Sequence, residues 1–204
     1  MTTFFLIRHA SCNGLGQTLW GRTPRVCLTE TGRFQAQRLA ERFNGIKLQA
    51  IYSSPLERAI DTAETLARSM NVEVKKSPAL NEIDYGDWTG KTFEILSTDE
   101  RWRRYNARRS TTIIPGGESF LDVQNRVVKE LDVLSHQHAN AGVALVSHAD
   151  VIRAAVAYFT ATPIDMIERL EISPCSVSVL ALNEESATLL TINNRCELRQ
   201  LWAE

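Results

Sequence analysis

The residues best able to do chemistry fall where apolar runs stop. Phe4-Phe5-Leu6-Ile7 ends abruptly in Arg8 and His9, and Val143-Ala144-Leu145-Val146-Ser147 ends in His148. A third run, Ala50 to Ser53, leads into a helix start that carries Arg58 in its first turn. Buried strands of an α/β protein that discharge polar groups at their C-terminal ends point at the ligand crevice. An arginine there brings a fixed positive charge and five donors in a fork that matches phosphate oxygens. A histidine brings a ring nitrogen that attacks, or moves protons, near neutral pH. Two arginines and two histidines converging on one sheet edge make a pocket for a dianion such as phosphate. Glu82 is the candidate carboxyl group above that pocket.

The elements that must position these groups alternate. Strands are expected over Thr2 to Arg8, Ala50 to Ser53, Val72 to Lys75 and Val143 to Ser147. Between them, Ala36, Leu39, Ala40 and Phe43 recur at helical spacing, with Asn44-Gly45 as the stop. Ser54-Pro55-Leu56-Glu57 reads as a helix start with a capping box of Ser54 and Glu57, running to about Ser69. A third helix begins near Ser119 with Phe120, Val123, Val127, Leu131 and Leu134 as its buried stripe, and a fourth covers Val151 to Phe159. Ser176 to Leu182 and Ala187 to Ile192 flank Asn183-Glu184-Glu185-Ser186 as a hairpin. This alternation predicts an α/β three-layer sandwich with a mostly parallel central sheet. Residues 1–204 are read as a single domain. The segment at about 78–117 breaks the rhythm and is expected to be an excursion over the crevice. The loop Ser11 to Cys27 is long for a connection, and long loops in compact domains tend to be functional.

Composition bounds the partners. The chain has 204 residues, 44% apolar and 23% charged, with a net charge of −1. Nothing in that balance calls for nucleic acid or an anionic membrane. No run approaches the ~20 apolar residues of a membrane span, and no secretory leader pattern is present. Cys12, Cys27, Cys175 and Cys196 are widely spread, with no C-x-x-C and no zinc-like spacing, so free thiols in a reducing cytoplasm are expected. No metal or cofactor is expected. A small phosphorylated substrate is, and self-association as a homodimer is an open option. Arg101, Arg103, Arg104, Arg108 and Arg109 form the densest basic cluster and read as a solvated helix face.

Six segments, in order, resemble the histidine phosphatase superfamily, the family that includes the cofactor-dependent phosphoglycerate mutases. Leu6-Ile7-Arg8-His9-Ala10 is similar to its R-H-G signature. Leu28-Thr29-Glu30-Thr31-Gly32 with Gln35-Ala36 is similar to L-T-x-x-G-x-x-Q-A, and Ser53-Ser54-Pro55-Leu56-Glu57-Arg58-Ala59 to S-x-L-x-R-A. Glu82 with Gly86-Asp87-Trp88-Thr89-Gly90 resembles E-x-x-x-G-x-W-x-G. Pro115-Gly116-Gly117-Glu118-Ser119 resembles P-G-G-E-S, and Val146-Ser147-His148 with Val151-Ile152-Arg153 resembles V-S-H-x-x-x-I-R. The chain departs from the signature at Ala10, where the family has glycine, and at Ser11, where it commonly has an acid.

The resemblance implies a phosphoglycerate mutase-like fold and a set of roles. His9 would become phosphohistidine. Arg8, Arg58 and a protonated His148 would hold the phosphoryl oxygens, and Glu82 would protonate the leaving oxygen. Gly21 and Arg22 sit where the family contacts substrate, so Arg22 is expected as a second anion contact. Ala149 stands where the acid-phosphatase branch carries its donor aspartate, which leaves the donor role to Glu82 and Ala149 as a substrate contact. The implied activity is a metal-independent phosphomonoesterase acting on a small metabolite. A phosphoglycerate-type phosphomutase and a non-catalytic phosphate-binding protein are the alternatives.

Overall fold

The structure, a computed structural model, describes residues 1–198. Six strands form one sheet in the order β3-β2-β4-β1-β5-β6. They are β1 (Thr2–Arg8), β2 (Ala50–Ser53), β3 (Val74–Lys76), β4 (Gly142–Ser147), β5 (Val177–Leu182) and β6 (Ala187–Asn194). The first four run parallel, β5 is antiparallel to β1, and β6 is antiparallel to β5.

Side-chain alternation along the strands makes the three layers. Phe4 and Leu6 of β1 face one apolar cluster, and Phe5 and Ile7 face the other. Helices α1 (Glu30–Arg42) and α2 (Glu57–Met70) cover the Phe5/Ile7 side through Leu39, Phe43, Ala63 and Leu66. On the other side α5 (Phe120–Gln137) and α6 (Ala149–Phe159) pack Phe120, Val123, Val127, Leu131, Ile152 and Val156 against Phe4 and Leu6. A strand buried on both faces needs an unbroken apolar run, and β1 and β4 have one. The exposed edge β3 is three residues long and carries Lys75 and Lys76, which discourages further strand pairing.

Between β3 and α5 the chain leaves the sandwich. It makes two short 3₁₀ turns, Pro78–Leu80 and Gly86–Trp88, and two short helices, α3 (Phe93–Ser97) and α4 (Glu100–Ala107). Thr92 caps α3 and Asp99 caps α4 through their side chains, so the charged stretch is two helices rather than one. Trp88, Tyr105 and Ile114 of this segment are fully buried in the same cluster as α5 and α6.

Two expectations are corrected. β3 begins at Val74 instead of Val72. The capping box at Ser54 and Glu57 does not form: α2 starts at Glu57, with Leu56 as its N-cap and no side-chain cap bond. Ser54 is engaged elsewhere, as described below. A capping box does form at Ser119 and Asp122, at the head of α5. Among the described residues no helix is long and apolar enough to cross a membrane.

Candidate active site

Parallel register brings the carboxyl ends of β1, β2 and β4 to one edge. Arg8 lies opposite Ser147, and Ser53 opposite Val146. The residue after each of β1 and β4 is a histidine, and Arg58 follows β2 in the first turn of α2. A cavity of about 200 Å³ opens at this edge, walled by Arg8, His9, Arg58, Glu82, Gly21 and Ala149 among others.

His9 is buried, and its backbone N–H donates to Ser147 O at 2.9 Å. Its Nδ1 lies 2.7 Å from Ala10 O. A carbonyl only accepts, so Nδ1 carries the ring hydrogen and Nε2 keeps its lone pair. Arg58 Nε donates to that Nε2 at 3.3 Å. Burial, then the charges of Arg58 and Arg8, push His9 well below the usual histidine range, so the ring is neutral.

Arg58 Nη2 donates to Gly21 O at 2.8 Å and lies 3.3 Å from His148 Nδ1. Arg8 Nη1 donates to Ile172 O at 2.6 Å. One donor on each guanidinium is left over: Arg8 Nε and Arg58 Nη1 are buried and have no partner. Buried unpaired donors on charged groups are costly, and a pocket that keeps two of them is shaped for an anion.

His148 is fully buried, with Nε2 2.8 Å from Ser54 Oγ. If Nδ1 accepts from Arg58, Nε2 is the protonated nitrogen and donates to Ser54. Burial and the neighbouring Arg58 push His148 well below the usual range. This environment favours a neutral His148. The two histidine rings stand edge to face, 5.1 Å apart.

Glu82 faces this group from the excursion, its Oε2 3.6 Å from His148 Nδ1 and its Oε1 accepting from Ile83 N at 2.9 Å. Burial, reinforced by the charge of Asp150, raises its carboxyl to about 7 against the opposing pull of Arg58 and Arg8. A carboxyl group near that value exists in both protonation states at neutral pH, which suits a group that donates and then accepts a proton.

The other expected contacts divide. Gly21 and Ala149 line the cavity, and Gly21 also fixes Arg58 through its carbonyl. Arg22 is not a free anion contact. Its Nε donates to Glu82 O at 2.9 Å, its Nη2 to Glu118 Oε1 at 2.9 Å, and Asp84 lies 3.6 Å from its Nη1. Two nearby carboxylates already neutralise it, and its grip on the Glu82 backbone makes it a support for the acid.

Several residues outside the expected set complete the site. Glu118 pairs with both Arg22 and Arg126, and Arg126 reaches Ala79 O and Glu82 O, so the backbone beneath Glu82 is clamped from two sides. Thr62 accepts from Ala10 N at 3.0 Å and donates to Arg58 O at 2.7 Å, tying the strand end to the helix. Its signal is its place one turn after Arg58. Gln35 Oε1 accepts from Ser11 N at 2.9 Å. A Cβ at Gly32 would lie 1.9 Å from Ser11 O, so only glycine lets α1 approach this loop. Ala10 is fully buried and packs its methyl into the α1/α2 core. Asp150, in the first turn of α6, is held in its charged form by Arg109 and Arg153 and accepts from Tyr85 Oη at 2.7 Å.

Known proteins resemble the chain over nearly its whole length. Phosphoserine phosphatase 1 of Hydrogenobacter thermophilus is 32% identical over 208 residues, covering 100% of this chain and 98% of that one. The solved structure of YhfR from Bacillus stearothermophilus superimposes with a TM-score of 0.90 at 28% identity, over 97% of this chain and 100% of the other. A phosphoserine phosphatase of Entamoeba histolytica, solved in complex with phosphoserine, gives 0.87 at 26% identity, over 97% and 100% of the two chains. The family model of the histidine phosphatase superfamily, branch 1, matches residues 4–195, and the chain belongs to that superfamily.

Proposed function

We propose that the chain is a phosphomonoesterase that hydrolyses a small phosphorylated metabolite through a phosphohistidine on His9. The observation that carries this reading is an unprotonated His9 Nε2 that accepts from Arg58, in a pocket where Arg8 Nε and Arg58 Nη1 are buried without partners. The phosphatase names of the Hydrogenobacter and Entamoeba relatives support it.

The phosphoryl group enters with its oxygens toward Arg8 Nε and Arg58 Nη1. Phosphoryl transfer asks the protein mainly for positioning and charge stabilisation, and these donors supply both. Arg58, which donates to His9 Nε2 in the empty pocket, turns that bond over to a phosphoryl oxygen and frees the lone pair. The nitrogen–phosphorus bond forms as the bond to the ester oxygen breaks, and protonated Glu82 gives its proton to the departing oxygen. The Glu82 carboxylate then takes a proton from water as that water attacks phosphorus. Inorganic phosphate leaves, His9 is restored, and Glu82 is again protonated. The arriving dianion opposes the forces that keep His148 neutral and favours its protonated form. We place the protein in the cytoplasm, in keeping with four cysteines that stand as free thiols.

The test is His9→Ala assayed on p-nitrophenyl phosphate. Phosphate release should fall at least about 10⁴-fold while the thermal transition persists. Turnover that survives the substitution removes the assignment.

A further inference from the structure

The phosphate pocket has a larger neighbour. A second cavity, of about 440 Å³, shares Leu19, Tyr85, Phe93 and Asp150 with it as common walls. The two adjoin as one cleft, with a phosphate end and a side chamber lined by Phe93 of α3 and by Trp102 and Asn106 of α4.

One wall of the chamber is aromatic. Phe93 is 37% exposed, high for a phenylalanine, and it faces both cavities. Its ring lies 6.2 Å from Trp102, which is itself braced edge-on against Trp88 at 5.2 Å and against Tyr105 at 5.9 Å. Trp102 thus packs on these three rings, and Phe93 is the exposed member of the wall.

The chamber's charges are already spent on one another. Asp150 pairs with Arg109 at 3.0 Å and with Arg153 at 2.8 Å. Glu168 pairs with the same two arginines. Asn106 donates to Trp102 O and accepts from Arg109. Arg109 Nε, like Tyr105 Oη beside it, is buried without a partner, but the chamber's two arginines face two carboxylates, so it offers no surplus charge to an ammonium or a carboxylate. It offers a flat apolar face.

Building on the hydrolase reading above, we propose that this chamber receives the leaving group and selects a planar, uncharged aromatic or heteroaromatic ring, joined to the phosphate through a short alcohol. Such a ring stacks on Phe93 and fills volume that a three-carbon acid leaves empty. Ring-on-aromatic stacking supports a preference of about tenfold.

The test measures phosphate release by the full chain from adenosine 5′-monophosphate and riboflavin 5′-phosphate against ribose 5-phosphate and phosphoserine. All four are alkyl esters, so intrinsic reactivity is matched. At least one ring-bearing ester should exceed both ring-free ones in kcat/KM by about tenfold. Phe93→Ala should bring that ratio close to one, whereas Ile95→Ala, on the same helix but outside both cavities, should leave it unchanged. Ring-free esters turned over as well as both ring-bearing ones would overturn the proposal, as would a ratio that survives Phe93→Ala. Failure to hydrolyse even p-nitrophenyl phosphate would instead strike the hydrolase reading on which the chamber's role depends.

Discussion

Arg58 and Arg109 are both buried guanidinium groups on the wall of the same cleft, yet their surroundings differ. Arg58 projects from the first turn of α2, its partners are uncharged (a carbonyl and two histidine rings), and one of its donors is left without a partner. Arg109 sits in the excursion between two carboxylates, with Asn106 beside it and Tyr105 under its plane at 4.7 Å. The first holds its charge in reserve for a ligand. The second is committed to Asp150 and Glu168, where it holds the side chamber together. The same division separates the two halves of the site: among the described residues Arg8 and Arg58 of the sheet edge have no carboxylate in salt-bridge contact, whereas Arg109 and Arg153 are balanced by Asp150 and Glu168, although Arg109 Nε is itself without a partner. Glu82 stands between them, supplied by the excursion but raised by burial among the sheet-edge groups.

The sharpest way to break this contrast is to remove each arginine in turn. Arg58→Met should lower kcat/KM on an aryl phosphate about 10³-fold, while leaving the unfolding midpoint unchanged or higher, because an incompletely satisfied buried charge is gone. Arg109→Met should do the reverse. It removes one of the two arginines that pair with Asp150 and Glu168, leaving Arg153 to face both carboxylates, and should cost about 3 kcal/mol in a denaturant titration, with aryl phosphate turnover reduced less than about tenfold. Parallel losses in both variants would show that the two regions are not divided in this way.

Glu82→Gln gives the next largest effect. Alkyl phosphate turnover should fall about 10²-fold or more, with a smaller loss for p-nitrophenyl phosphate, whose leaving oxygen needs little help. The pH profile carries the sign. Glu82 must be protonated to donate, and its carboxyl is raised to about 7, so wild-type kcat/KM on an alkyl ester should decline as pH rises through that value. His9, which must be neutral to attack, is pushed down, so the acid side should stay active to well below the ordinary histidine range. The declining limb should vanish in Glu82→Gln.

Arg22→Met should give the smallest change. Its charge already faces Glu118 and Asp84, so inhibition by inorganic phosphate should shift less than about threefold. A large weakening would return Arg22 to the anion site.

Much of the sheet-edge half is legible in the sequence because strand and register place it. Once Phe4–Ile7 and Val143–Val146 are read as neighbouring parallel strands, His9 and His148 must emerge side by side. The excursion half is less legible because its contacts join segments that no local pattern links. Arg22 looks free until Glu118 and Asp84 arrive from 96 and 62 positions away. Ser54 has every local mark of a helix cap, but its hydroxyl reaches only Leu56 N of its own turn and is shared with His148, 94 positions on. Asp150 reads as a first-turn helix acid, and only the fold brings Arg109 and Tyr85 to it. Local signals report what a residue offers its own turn, whereas a buried polar group goes to the partner that satisfies it best in three dimensions.

The central claim is that His9 carries the phosphoryl group on Nε2, since Nδ1 is bound to Ala10 O. Rapid quenching during turnover of a slow ester, followed by ³¹P and ¹H NMR of the isolated phosphopeptide, tests it directly. A single acid-labile phosphohistidine at His9, substituted at Nε2, is the predicted result. A phosphoryl group on Nδ1 or on another residue, or turnover with no phosphoenzyme under conditions where hydrolysis of the intermediate is slowed, would contradict it.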